Sequence, residues 1–539
     1  MRKVMLICNN CGAELEDDAK FCVECGTPVL QVKKCVQCGK DLPLRAKFCS
    51  ACGISQEVAS IHTVQSRAKV IVDCNGQGDA LNVSEALRYV DDGAAIVVQS
   101  GIYKDSFVID KEVTICGEDT GKGLPVIWND TDEKHFIMQV NANAKISDLI
   151  LQGAKVPFTA DFEYPKRPED KTPWEWWPRV VEINSSCALK NINVCNSAGH
   201  GFAIAGEGVE PQINGCKSFD NRRMGFLVID KATPSIANCK CYSNLIHGFS
   251  IGQGASPKIE TSKAYKNRFS GLLIFGQGHI CIDKCDVFEN GESGVCITER
   301  GMGSINGCNI YENDQSVDIS QYYYDRWEIS ICDEKSLAII NNCKIGNCPE
   351  NGTEGGAGCR VKDGAKCVIE KTKIIANHSN AAVSCFAAFF EIKDSHLDGV
   401  GDENYGQFQN SSGLQIEGGS EGEIDDTFLT GMDGGLCVSN SRIKVTKGTI
   451  TSHRKSSDSV QILAYNSETA GTEVKCNAHF IGTTINNGFY VFGDGAGEGE
   501  FENIEDIRLE NCCLINTRIS NQEKLAGKLS LINTSFENE

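Results

Sequence analysis

A repeat of 23 residues is the feature that most constrains the fold of this 539-residue chain. Five glycines, each followed by an apolar residue, are separated by 24, 23, 23 and 23 residues. They are Gly201, Gly225, Gly248, Gly271 and Gly294. Three other columns keep the period: Ile213, Ile236, Ile259, Ile282 and Ile305; Cys216, Cys239, Ser262, Cys285 and Cys308; Asn221, Asn244, Asn267, Asn290 and Asn313. A period of about 20–25 residues indicates a solenoid of stacked repeats.

The spacing inside each repeat indicates strands. Apolar residues alternate with others, as in the pairs Phe202 and Ile204 or Phe226 and Val228. This is the period of a strand with one buried face, whereas helical repeats are longer and show a 3.6-residue period. The leucine-rich repeat consensus is absent. We therefore predict a mainly β chain, a parallel β-helix with about 23 residues per coil and about 15 to 18 coils in all.

Stacked coils about 4.8 Å apart place equivalent residues in internal ladders. We expect the asparagine column to adopt a left-handed turn conformation and its amides to bond between coils. The ladder cysteines Cys216, Cys239, Cys285 and Cys308 are expected to be buried small apolar residues. A disulfide between coils is the alternative, and a reducing compartment argues against it.

The segment before the ladder predicts a covered end. A strand begins at Val70, a helix follows over 81–90, and Asn82 with Glu85 forms a capping-box pattern. A helix at this place protects the open edge of the first coil. This arrangement resembles the right-handed parallel β-helix proteins of the pectate-lyase-like superfamily, in their carbohydrate-binding and sugar-hydrolase-like repeat branch. The resemblance covers about residues 69–535 and implies the fold more specifically than any activity.

The N-terminus carries two copies of one cysteine pattern. Each copy has two Cys-x2-Cys pairs ten residues apart, and a glycine follows every pair. The eight cysteines are Cys8, Cys11, Cys22, Cys25, Cys35, Cys38, Cys49 and Cys52. Paired spacing of this kind is a metal signature rather than a disulfide framework, and four thiolates complete a closed tetrahedral zinc site. We predict two structural Zn²⁺ ions; the spacing leaves open whether each ribbon uses its own four cysteines or exchanges pairs.

The cysteine pattern resembles the double zinc ribbon family over residues 8–53. We predict a ribbon domain over 1–56, a linker over 57–68 and the β-helix over 69–539. Each ribbon is too short to bury a core, so zinc supplies its folding energy. The family spacing says little about the partner.

Two insertions, near 154–180 and 314–330, interrupt the ladder with aromatic residues. Their candidate recognition residues are Trp174, Trp176, Trp177, Tyr322, Tyr323, Tyr324 and Trp327. One interpretation is a local mini-core that fastens each insertion to the β-helix wall. The other is a recognition platform, on which rings stack against sugars or anchor a partner protein.

Charge and composition restrict partner and compartment. The chain has a formal net charge of −20, and residues 1–56 contain eight Lys and Arg against six Asp and Glu. Neither part offers the basic surface that nucleic acid requires, so nucleic acid is not an expected partner. No apolar run is long enough for a membrane span or a signal-peptide core. With 29 cysteines, we expect a cytoplasmic protein with free thiols.

The superfamily resemblance raises the possibility of a sugar enzyme. Polygalacturonase-like fragments occur at Asn129–Asp132, Gly199–Gly201, Asp425–Asp426 and Arg442–Lys444. Their order differs from that of the enzymes, and they are spread over more than 300 residues. Inverting hydrolysis needs two carboxyl groups about 6.5–9.5 Å apart. We therefore predict no catalytic residues from the sequence.

The expected function is a non-catalytic intracellular binding or scaffold protein. The ribbons would dock a protein, and the β-helix would present a recognition surface to a protein or carbohydrate partner. The alternative is an intracellular carbohydrate-active enzyme, such as a polysaccharide lyase or a glycoside hydrolase. A third hypothesis, nucleic-acid binding by the ribbons, is opposed by the charge. A cluster of titratable residues on one exposed face of adjacent coils would favour the enzyme, and a flat face would favour binding.

Overall fold

The computed structural model describes residues 6–7, 14–15, 24–25, 32–35, 40–43, 48–51, 67–129, 136–153, 177–313, 327–346, 358–376, 381–400, 411–465, 473–494 and 501–538. The chain divides into two compact units, residues 1–66 and 67–539.

The first unit contains two short antiparallel hairpins. Leu6–Ile7 pairs with Glu14–Leu15, and Val32–Lys34 pairs with Asp41–Pro43. Each hairpin encloses the first Cys-x2-Cys pair of one copy of the cysteine pattern. The sequence repeat is therefore also a structural repeat.

The second unit is a parallel β-helix made of a 15-stranded sheet and a 33-stranded sheet. The 15-stranded sheet forms a first strand column: Phe107–Ile109, Met138–Val140, Arg179–Ile183, His200–Ala205, Phe226–Ile229, Phe249–Ile251, Leu272–Ile274, Val295–Ile297, Ile329–Ile331, Cys359–Lys362, Ala381–Phe386, Ser412–Glu417, Gly434–Ser439, Val460–Ala464 and Phe489–Gly493. These fifteen strands agree with the predicted number of coils.

The 33-stranded sheet forms a second and a third strand column, which Lys145–Gly153 and Ala188–Cys195 join. The second column is Arg67–Val72, Val90–Gln99, Val113–Glu118, Gln212–Asn214, Ser235–Ala237, Lys258–Glu260, His279–Asp283, Met302–Asn306, Leu337–Asn341, Lys366–Glu370, Phe389–Lys393, Glu421–Asp425, Arg442–Thr446, Cys476–Ile481, Ile504–Glu510 and Leu529–Ile532. The third column is Ile102–Lys104, Val126–Asn129, Lys217–Phe219, Lys240–Tyr242, Lys263–Tyr265, Asp286–Phe288, Asn309–Tyr311, Lys344–Ile345, Lys373–Ala376, His396–Gly399, Phe428–Gly431, Thr449–Ser452, Thr484–Asn486, Cys513–Ile515 and Ser535–Glu537.

The register matches the sequence repeat. Phe226 lies between Phe202 and Phe249 in the first column, and the isoleucine column aligns in the same way, with Ile236 beside Ile213 and Ile259. These side chains point inward and are fully buried or nearly so. One continuous apolar core therefore extends along the β-helix.

The asparagine column forms the predicted amide ladder, but its backbone conformation was predicted wrongly. The left-handed residue is the one before each asparagine, such as Lys266 before Asn267, with φ 54°. This bend turns the asparagine inward, where Asn267 Nδ2 donates to Asn290 Oδ1 at 2.9 Å and Asn244 Nδ2 donates to Asn267 Oδ1 at 2.9 Å. The same oxygens also accept from the backbone N–H of the preceding coil's asparagine.

The ladder ends on a buried carboxylate. Asn313 Nδ2 donates to Glu328 Oε2 at 2.5 Å, and the Asn313 backbone N–H donates to both carboxylate oxygens. Glu328 is 1% exposed. Because all the amides donate in one direction along the stack, an acceptor-only carboxylate satisfies the last donor.

The ladder cysteines are buried, as predicted, and they are also hydrogen-bonding groups. The Cys285 N–H donates to Cys308 Sγ at 3.4 Å, and the Cys239 N–H donates to Ser262 Oγ at 3.0 Å. Cysteine, serine and threonine thus share one role in this column: the side-chain sulfur or oxygen accepts a hydrogen bond from a backbone N–H of the preceding coil. Burial keeps the neighbouring thiol of Cys241 protonated by raising its pKa.

The first coil is covered by the helix Val83–Tyr89, slightly shorter than predicted. Asn82 Oδ1 accepts from the Glu85 N–H at 2.8 Å, while the Glu85 carboxylate accepts from the Leu81 N–H rather than completing the box at Asn82. Lys111 Nζ donates to the carbonyl of Leu87 in the last helical turn and to that of Val90, the first residue after the helix. A 3₁₀ helix, Gln522–Leu525, lies near the other end.

Candidate functional site

The described ribbon residues fit thiolate coordination. Cys35 and Cys49, one cysteine from each pair of the second copy, are buried in one cluster with Leu42. The Ala51 N–H donates to Cys49 Sγ at 3.4 Å, which is the kind of bond that stabilises a thiolate. Cys25 is exposed. The other predicted ligands, Cys8, Cys11, Cys22, Cys38 and Cys52, lie outside the described residues.

Two of the seven candidate recognition residues are described, and both rings face an arginine of the β-helix. The Arg223 guanidinium lies 3.8 Å from the centre of the Trp177 ring, and that of Arg360 lies 6.0 Å from the Trp327 ring. Contacts of this type fasten a ring to the wall. Trp174, Trp176, Tyr322, Tyr323 and Tyr324 lie outside the described residues.

The polygalacturonase-like fragments that the structure describes do not assemble into one site; Asp130, Thr131 and Asp132 lie outside the described residues. His200 is 2% exposed, and burial, followed by the charges of Arg223 and Arg179, lowers the pKa of its imidazole well below the usual value. It lies in the fourth strand of the first column, whereas Asp425 and Arg442 belong to much later coils of the second column. A buried neutral imidazole at that distance cannot act with them.

Arg442 and Lys444 do belong to an exposed cluster, which we name the charged wall. It is the outer face of the second strand column over five coils, and it borders an open groove of about 660 Å³. Its polar and aromatic members are Lys366, Phe389, Glu391, Glu421, Glu423, Arg442, Lys444 and Asn477. Strand pairing sets their order, because each residue lies beside its equivalent in the next coil.

Ion pairs join neighbouring coils across the charged wall. Lys366 Nζ lies 2.6 Å from Glu391 Oε1, and Arg442 Nη1 lies 3.0 Å from Glu421 Oε1. These four side chains are 45–55% exposed. Solvent therefore screens the pairs, and their contribution to stability is about 1 kcal/mol or less each. The wall also exposes half of the Phe389 side chain.

A second polar cluster lies on the third strand column. Asp398 Oδ1 is 2.7 Å from His453 Nε2, and Thr430 Oγ1 is 3.4 Å from the same nitrogen. Because acid and hydroxyl contact one nitrogen, the imidazole does not connect them as in a nucleophile relay. Burial lowers the pKa of the neighbouring His396, although the Asp398 charge partly opposes that shift. A groove of about 450 Å³ borders His396 and Phe428.

The sequence contains the signal for the charged wall, although it was not used. In the weak repeats after Asn313, two outward residues stand on either side of one inward residue: Lys366 and Val368, Phe389 and Glu391, Glu421 and Glu423, Arg442 and Lys444. Their charges become a cluster only when the coil register is known. Insertions change the repeat length here, and the register is therefore hidden in the sequence.

In the described part of the chain, no helix has the length and apolar character needed to cross a membrane.

Comparison with known proteins defines the class. The double zinc ribbon family model matches residues 8–53, and the model of the right handed β-helix region matches residues 235–407. No curated protein matches the sequence. The chain thus joins an N-terminal double zinc ribbon to a right-handed parallel β-helix, as the sequence predicts.

Solved structures with similar folds include enzymes and a phage protein. The A-module of mannuronan C-5 epimerase AlgE6 from Azotobacter vinelandii is 13% identical; the match covers 82% of this chain and 90% of that one, with a TM-score of 0.29. Pectate lyase Pel9A is 15% identical; the match covers 62% of this chain and 78% of that one, with a TM-score of 0.27. The N-terminal fragment of gene product 12 of bacteriophage Phi29 is 12% identical; the match covers 79% of this chain and 68% of that one, with a TM-score of 0.38. Scores this low assign no activity.

Proposed function

We infer that this chain is a non-catalytic binding or scaffold protein whose charged wall is the recognition surface of the β-helix. The observation that carries this proposal is the set of exposed ion pairs beside the exposed Phe389. Glu391 and Glu421 are half-exposed, and each forms an ion pair with a base of a neighbouring coil, as is usual for surface charges. Such groups suit hydrogen bonding to a partner.

The ribbons supply the second part of the proposal. Two structural Zn²⁺ ions fold them, and they dock a protein partner. The cytoplasm is the proposed compartment, supported by the 29 cysteines and by the use of buried thiols as ladder hydrogen-bonding groups.

The zinc part is tested by metal analysis of the purified chain. We expect two zinc ions per chain, and chelation should unfold residues 1–56 while the β-sheet circular dichroism of the β-helix persists. One ion per chain, or no change of the ribbon on chelation, contradicts the two-site assignment. Cys49→Ser, which removes one buried thiol, should lose one ion and leave the other.

The binding part is tested by affinity capture with the full chain, with a chain lacking residues 1–56, and with an Arg442→Ala variant. We expect the truncation to lose protein partners recruited by the ribbons, and Arg442→Ala to lose the ligand of the wall. Identical captures by all three chains would contradict both assignments.

A carbohydrate-active enzyme is the second candidate, and the pair of Asp398 with His453 favours it. The described coils are not flat, and they carry the titratable clusters that this alternative requires. The His453 side chain is 41% exposed, whereas that of its partner Asp398 is 14% exposed. Turnover of any polysaccharide that is lost in His453→Gln would support the enzyme over the binding protein.

A further inference from the structure

We propose that the ligand of the charged wall is an uncharged, linear polysaccharide. This proposal rests on the function proposed above for the same surface and narrows it to one chemical class.

The charge balance of the wall excludes an acidic polymer as the preferred ligand. Three bases face three acids across the groove, and two of the bases are already paired: Lys366 with Glu391, and Arg442 with Glu421. Arg442 also has a second acidic neighbour, because its Nε lies 3.8 Å from Glu505 Oε2. A polyanion must compete with these carboxylates for each cation, while the whole chain repels it with a formal charge of −20. A neutral ligand does not compete with the carboxylates for the cations, and the net charge of the chain does not repel it.

The backbone of the wall excludes recognition by strand addition. Each wall strand, such as Glu421–Asp425, is paired on both sides, with Phe389–Lys393 and with Arg442–Thr446. No edge N–H or C=O is therefore offered to an extended peptide, and the ligand must be held by side chains. Adjacent sugar hydroxyls can donate to a carboxylate and accept from a guanidinium at once, as the paired Glu421 and Arg442 require. The exposed Phe389 ring supplies an apolar surface for the C–H face of a sugar ring.

The shape of the groove favours a chain rather than a single sugar. From Lys366 to Asn477 the wall crosses four steps between coils, which is about 19 Å at the usual strand spacing. That length accommodates several sugar units in an extended row.

The test is titration calorimetry of the full chain with oligosaccharides of cellulose, mannan and xylan, beside oligogalacturonate of equal length. We expect at least one neutral series to bind more tightly than oligogalacturonate. Phe389→Ala and Arg442→Ala should each weaken that binding by about tenfold or more. Phe386→Ala is the matched control, because this phenylalanine is also exposed but does not border the groove. Urea unfolding of each variant shows whether the fold is retained.

Each other result overturns the proposal in a distinguishable way. If oligogalacturonate or a protein binds and Arg442→Ala abolishes that binding, the wall is a recognition surface but the uncharged ligand is wrong. If ligands bind with equal affinity to both wall variants and the wild type, the function proposed for the wall is wrong as well. Absence of binding by every neutral series also overturns the proposed ligand class.

Discussion

The coils between Gly201 and Asn313 and the coils between Lys366 and Asn477 use their outward positions differently. In the first stretch, five aromatic rings stack in the third strand column at centroid distances of 4.9–5.2 Å: Phe219, Tyr242, Tyr265, Phe288 and Tyr311. Each inner ring covers the faces of its neighbours, so the stack presents mainly ring edges to solvent. In the second stretch, Phe389 stands among ion pairs with half of its surface exposed.

The inner positions differ in the same sense. The regular coils contain the amide ladder, which ends at Glu328. The later coils continue only the cysteine column, in which Thr372 and Ser395 accept backbone hydrogen bonds. The regular coils also carry exposed ion pairs, such as Lys258 with Glu260. The two stretches therefore differ in the buried amide ladder and in the covering of their outward rings. In the function proposed above, the regular coils stabilise the β-helix and the later coils bind.

The largest expected effect is on stability and comes from breaking the amide ladder. Asn267→Ala removes the acceptor of two buried Asn244 donors and the donor to the Cys241 carbonyl. We expect a loss of about 3 kcal/mol or more in the free energy of unfolding, measured by urea denaturation. Asn214→Ala, at an exposed position two coils away, should change it by no more than about 0.5 kcal/mol. Equal effects of the two variants would contradict the structural role of the ladder.

The next prediction compares one ring from each stretch. Tyr265→Ala removes stacking against Tyr242 at 4.9 Å and Phe288 at 5.0 Å, and it should cost about 2 kcal/mol of stability. Phe389→Ala should leave stability within about 0.5 kcal/mol while it weakens ligand binding. Tyr265→Phe keeps the stack and serves as the control. A stability loss in Phe389→Ala as large as that in Tyr265→Ala would remove the distinction between the two stretches.

The last prediction on stability depends on pH and on the buried His200. Burial keeps the pKa of this imidazole well below its value in the unfolded chain, so the unfolded state binds the extra proton. Stability is then full above about pH 6.5 and falls as the pH decreases, by up to about 1.4 kcal/mol per pH unit. His200→Met places there the residue found at the equivalent position Met224, and it should flatten that part of the stability profile. An unchanged slope between pH 6.5 and 5 would contradict a buried neutral imidazole.

Most of the fold could be predicted because its signal is periodic. The glycine, isoleucine, cysteine and asparagine columns gave the coil length, the strand period and the internal ladders. The conformation of the asparagines was predicted wrongly because the left-handed residues before them, such as Ser243, Lys266 and Glu289, are chemically unrelated. Only the backbone path requires them, and no residue type marks the position.

The candidate site was less predictable because most of its residues come together only through the backbone path of the coils. The zinc ligands could be proposed from local spacing, since a Cys-x2-Cys turn is complete within four residues. The charged wall brings together residues separated by one coil, and Glu391 and Glu423 are 32 residues apart rather than 23. The outward stack of rings does keep the 23-residue period, so its residues were available to sequence analysis. They escaped notice because the inward columns explained the repeat without them.

The most direct test of the central claim is a comparison of binding and turnover on the same samples. The full chain, Arg442→Ala and His453→Gln are incubated with the oligosaccharide series, while calorimetry follows binding and product analysis follows bond cleavage. We predict binding that Arg442→Ala weakens and His453→Gln retains, with no new reducing ends or unsaturated products from any chain. Cleavage by the wild type that His453→Gln abolishes would contradict the assignment of a non-catalytic binding wall.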